Sequence, residues 1–93
     1  MGVRARQMYP EDAALAKALG VACYRLQDFP GAKLYLTQAS EKLTSDSELL
    51  YYLGMTLAKL TENSEAKRLL NEALVLNVDP ALAAEAKKIL EGL

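Results

Sequence analysis

Apolar residues return along this chain at the spacing of one helical face, in blocks of about a dozen residues separated by polar breaks. Leu15, Ala16, Leu19, Cys23 and Leu26 make the first stripe. Gln27-Asp28-Phe29-Pro30-Gly31 interrupts it, with Asp28 placed to cap a new helix and Pro30 in its first turn, where a missing N–H costs nothing. Ala32, Leu36, Ala39 and Leu43 form the second stripe, and Thr44-Ser45-Asp46-Ser47 the loop that follows. The same sequence of events then recurs. Leu49, Leu50, Leu53, Leu57 and Leu60 line one face; Thr61-Glu62-Asn63-Ser64 turns; Ala66, Leu69, Leu70, Ala73 and Leu74 line the next. Asn77-Val78-Asp79-Pro80 ends the hairpin, with Asp79 as a cap. Residues 81–92 read as a last helix carrying Leu82, Ala86, Ile89 and Leu90 on one side.

The two halves are copies in phase. Residues 13–46 laid over 47–80 match Leu15 to Leu49, Leu19-Gly20 to Leu53-Gly54, and Leu26 to Leu60. They also match Ala32-Lys33 to Ala66-Lys67, Leu36 to Leu70 and Ala39 to Ala73. All are small or apolar positions of helices, apart from the lysines. A glycine inside a helix costs about 1 kcal/mol against alanine, so Gly20 and Gly54 at one phase predict close approach of a neighbouring helix.

Composition narrows the chemistry. The chain has 93 residues, 52% of them apolar, enough for one small core. Eleven basic and twelve acidic side chains leave a net charge of −1, and Arg4, Arg6, Arg25 and Arg68 form no continuous stripe, so no nucleic-acid partner is expected. There is no histidine, no phosphate-binding loop and no dinucleotide fingerprint, which argues against an enzyme, a cofactor or a metal site. The single Cys23 falls on the apolar stripe and is expected to be a buried, inert thiol in a reducing, cytoplasmic setting. No segment reads as a secretory signal or a membrane span, so no membrane partner is expected.

These positions resemble the tetratricopeptide repeat family, whose 34-residue unit is a helix–turn–helix with a Leu-Gly pair in the first helix and small residues in the second. Leu19-Gly20 and Leu53-Gly54 match the pair; Ala32, Ala66, Ala39 and Ala73 match the small positions; Phe29 matches the aromatic at the turn. The chain departs from the pattern where Ala16 and Leu50 replace a frequent Trp and where Gln27 and Thr61 replace a frequent Gly. Asn63 stands in for the turn aromatic, and Pro80 lies two residues late. The resemblance implies an all-α fold: a right-handed superhelical stack of two helical hairpins, residues 13–46 and 47–80, closed by a capping helix at 81–93. All of 1–93 forms one domain, and residues 1–12, with Pro10, are a remnant of a preceding unit.

The resemblance also implies a function. In this family the first helices line a concave face that takes a peptide or protein partner. Carried over position by position, that face offers Lys17, Val21, Tyr24 and Arg25 from the first unit and Glu48, Tyr51, Met55 and Lys59 from the second. Tyr, Arg and Met suit an interface, and the cations suit a partner's carboxylate. Tyr24, Tyr51 and Met55 suit packing between hairpins equally well, and Tyr52 suits either place. Lys17 matches the first lysine of the set that grips chaperone tails, but Val21 and Tyr52 stand where that set has Asn, so chaperone-tail binding is not expected. Two units leave open ends, for which the second expectation is a homodimer, Met8 and Tyr9 contributing, or a place within a longer repeat array.

Overall fold

A computed structural model describes residues 12–93, which form five helices and no strand. They are α1 (Ala13–Arg25), α2 (Phe29–Ser40), α3 (Ser47–Lys59), α4 (Asn63–Val75) and α5 (Pro80–Gly92). The expectations for Met8, Tyr9, Pro10 and the remnant unit lie outside the described residues.

Local chemistry sets the helix starts. Asp12 accepts from the backbone N–H of Ala14 at 2.9 Å, Asp28 from Gly31 at 3.1 Å and Asp46 from Leu49 at 3.0 Å. Each such cap is worth about 1 kcal/mol. Asp79 precedes α5 but its side chain makes no capping bond, contrary to the sequence reading; Pro80 at the first position does the work of starting the helix instead.

The helix ends are set by a repeated left-handed residue. Gln27, Thr61 and Asn77 sit at φ 64°, 63° and 61°. After α1 the N–H of Asp28 bonds the carbonyl of Cys23 at 2.8 Å and that of Gln27 bonds Tyr24 at 3.0 Å. After α3 the pair is Glu62 to Leu57 at 2.9 Å and Thr61 to Ala58 at 3.1 Å. This double closure normally selects glycine, so Gln27 and Thr61 at this place carry a cost. Thr61→Gly is expected to raise stability by about 1 kcal/mol, and Gln27→Gly by somewhat less, because a β-branched residue is the more strained at positive φ. Urea unfolding of the two variants measures it; a loss of stability in either contradicts the account. After α4, Val78 follows the left-handed Asn77 and is buried, the apolar contact that accompanies such an end.

The hairpins pack in chain order. α1 packs on α2, α2 on α3, α3 on α4 and α4 on α5, and the first helices also adjoin one another, α1 with α3 and α3 with α5. The described helices extend 45 Å by 23 by 21 Å. Every residue of α3 from Leu49 to Leu57 is buried, since this helix has neighbours on all sides. Small residues let the pairs close: Ala16, Ala32, Ala39, Ala66 and Ala73 have no exposed surface. Thr56 is buried too, with its hydroxyl donating to the Tyr52 carbonyl at 2.8 Å.

The closing helix carries its packing residues two places late. Ala84, which lies 34 residues after Leu50, is exposed, whereas Ala86 is fully buried. Leu82, Ile89, Leu90 and Leu93 pack beside it on the core. α1 departs from expectation in the other direction. Leu15, Leu19 and Leu26, assigned to its apolar face, are all exposed, and Cys23 is half-buried rather than enclosed. Only Ala16 and Gly20 of that helix are fully covered. No described helix is long and apolar enough to cross a membrane.

Candidate functional site

A groove of about 680 Å³ runs between α1 and α3 and is lined by Ala14, Lys17, Ala18, Val21, Arg25 and Tyr52, among others. Its floor follows from the sequence of α1: Ala14, Ala18 and Ala22 fall at steps of four on one side of the helix, and such short side chains leave a trough. Of the residues singled out from the sequence, Lys17, Val21, Arg25 and Glu48 meet here. A second hollow of about 360 Å³ continues at the turn end, where Tyr24, Arg25 and Lys59 come together with Gln27 and Phe29. Arg25 thus belongs to both.

Tyr51 and Met55 do not share that surface. They are 5% and 6% exposed, because α5 lies against α3 and covers them. Met55 lies with Ile89 and Leu93 of α5. Burial pushes the Tyr51 hydroxyl up to about 12, with nearby Tyr24, Glu85 and Tyr52 adding to the effect. The outward side of α3 is not open, because α5 lies across it.

Tyr52 takes the place that Tyr51 vacates. Its ring packs edge-on to Tyr24, with centroids 5.5 Å apart, and to Tyr51 at 5.0 Å; Tyr24 packs in turn on Phe29 at 5.8 Å. This file of rings forms the wall between groove and core, each pair adding about 0.5–1.5 kcal/mol. Burial raises the Tyr24 pKa, with Tyr52 and Glu85 contributing, so both Tyr24 and Tyr51 stay neutral at ordinary pH.

The cations divide into engaged and free. Lys17 reaches across the hairpin boundary to Asp46 and Glu48, both at 2.8 Å. Partial burial acts to lower its pKa, but the bonds to the two carboxylates outweigh it and the net shift is upward. Asp46 feels the converse: burial would raise it, while Lys17 and the backbone N–H of Leu49 hold it below the usual carboxylate range. Lys17 is therefore a tie between hairpins, already supplied with carboxylates. Arg25 and Lys59 stand at the last residue of α1 and α3, 34 apart, and neither has an ion-pair partner among the described residues.

The tie carries a pH signature. Because the folded pKa of Asp46 lies below its ordinary value, its contribution is complete above that value and is lost as pH falls through the folded pKa. Asp46→Asn keeps a good helix cap but removes the charge. The variant is expected to be less stable than the native chain at pH 7, with the gap closing below about pH 4. Thermal unfolding at a series of pH values checks this, and a gap independent of pH contradicts it.

The opposite side of the molecule offers a groove of about 500 Å³ between α2 and α4, floored by Leu50, Leu53 and Leu57. Its rim charges are mutually satisfied: Lys33 pairs with Glu62 at 2.7 Å, and Arg68 with Glu65 at 2.9 Å and with Glu72 at 3.8 Å. The α1–α3 side thus differs in that Arg25 and Lys59 at its turn end have no ion-pair partner among the described residues.

Compared with known proteins, the chain matches no family model, no curated protein and no solved structure.

Proposed function

We propose that this chain is a tetratricopeptide-type stack with a right-handed superhelical twist, and that it holds a peptide or protein partner in the groove between α1 and α3 without catalysing a reaction. The observation that carries this reading is the pairing of an apolar floor with two unpaired cations at its turn end. Ala18 and Val21 accept an apolar side chain, Tyr52 gives it a wall, and Arg25 and Lys59 await an acidic group. The occupant that fits is a segment with an apolar residue followed by a carboxylate. Helix ends that repeat at 34 residues, the small buried alanines and the contact of first helix with first helix support the stack.

Selection of peptides from a random library on the purified chain tests the reading. Binders are expected to be enriched in Asp or Glu next to an apolar residue. Arg25→Glu/Lys59→Glu is expected to weaken them at least about tenfold while leaving helical content unchanged. Binders indifferent to that double variant would overturn it.

A further inference from the structure

We infer that the end of the stack formed by α1 is a contact surface for a second copy of this chain, joined α1 against α1 about a two-fold axis. Leu15, Leu19, Ala22 and Leu26 fall within one narrow stripe of the helix, which borders the groove face of Lys17, Val21 and Arg25 and shares Ala22 and Leu26 with the groove lining. The leucines are 48%, 37% and 80% exposed. The internal repeat shows what this stripe is built for. Its counterparts 34 residues on are Leu49, Leu53, Thr56 and Leu60, and the first three are 0%, 5% and 0% exposed. They are covered because the preceding hairpin stands against them. The stripe on α1 carries the same kind of apolar face, with no cover among the described residues.

The occupant follows from what the chain has to offer. A helix meant for water looks like α4, whose exposed positions are Asn63, Ser64, Glu65, Lys67, Arg68, Asn71 and Glu72 together with Val75 at its end. Across all of α1 the only charges are Lys17, which is tied to Asp46 and Glu48, and Arg25 at its last residue. The α5 end is a poor match for this stripe: α5 turns Lys87, Lys88 and Glu91 to solvent, a polar outer face. Val75 and Leu76 are the last residue and the cap of α4 and form no stripe. Head-to-tail growth would thus bury charge against leucine, whereas the α1 face finds its complement in itself. An isologous contact of this kind closes at two copies. Antiparallel α1 helices also bring the Asp12 end of each beside the Arg25 end of the other, which adds charge complementarity. Three leucines and an alanine make a face well below the roughly 800 Å² per partner of a standard interface, so association is concentration-dependent.

Sedimentation equilibrium of the full chain from about 1 µM to about 1 mM decides it. The weight-average mass is expected to climb from 10.2 kDa towards twice that value. Leu15→Glu/Leu26→Glu is expected to stay at the single-chain mass, and Leu76→Glu to associate like the native chain. If the double variant loses helical signal, Leu26→Glu alone gives the answer, since that side chain is already mostly in water. A native chain that remains at 10.2 kDa throughout overturns the inference and assigns the stripe to another occupant, residues 1–11 or a different protein. Association that the Glu variants do not reduce, or growth beyond two copies, overturns it as well.

Discussion

Leu49→Ala is expected to cost about 2–5 kcal/mol, whereas Leu15→Ala, the same substitution at the same position of the other repeat, costs under about 1 kcal/mol in dilute solution. Leu49 has no exposed surface, and its removal leaves a void between α3 and the hairpin before it. Leu15 is half in water, so little is left unfilled. A domain of this size has roughly 5–14 kcal/mol of stability in all, so Leu49→Ala shifts the urea midpoint by a large fraction of its value. Comparable losses at the two positions in dilute solution would mean that the first hairpin is covered within a single chain.

Alanine at Gly20 or Gly54 is expected to destabilise the protein by about 1 kcal/mol or more, although in an exposed helix the change would gain about that much. A Cβ at Gly20 would stand 2.5 Å from Cγ and 2.6 Å from Cδ2 of Leu36, and 3.1 Å from its backbone N. At Gly54 the corresponding distances to Leu70 are 2.8, 2.9 and 3.3 Å. Both leucines are wholly buried and have no room to swing aside, so the helices of each hairpin must part, an overpacking cost of about 1–3 kcal/mol. The tighter contact makes Gly20→Ala the more damaging of the two. Gly92, with nothing within 4 Å of an added Cβ, is the control and should tolerate alanine. Denaturant unfolding of the three variants measures the order; stabilisation by Gly20→Ala contradicts the packing described.

Most of the fold was legible because the same physics is written twice. The Leu-Gly pair marks where a second helix comes close, and Leu36 and Leu70 are the residues that come close. Asp28 as a cap and Pro30 in the first turn could be read directly. The site was less legible, since periodicity says which side of a helix is apolar but not what covers it. Tyr51 and Met55 look like surface positions until α5 is in place, and Leu15, Leu19 and Leu26 look like core until one sees that nothing described stands before α1. Lys17 could be assigned to a groove but not to Asp46, because the tie spans 29 residues and depends on how the hairpins meet. Tyr52 was undecided for the same reason. Its role as a wall depends on Tyr24 of the other hairpin.

The central claim is that the α1–α3 groove holds a partner. Backbone amide shifts of the labelled chain, followed as a library-selected peptide is added, test it most directly. The account predicts perturbation at Ala18, Val21, Arg25, Tyr52 and Lys59, with little change at Asn71 and Glu72 on α4. Shifts centred on the α2–α4 groove, or a chain that selects no peptide at all, would contradict it.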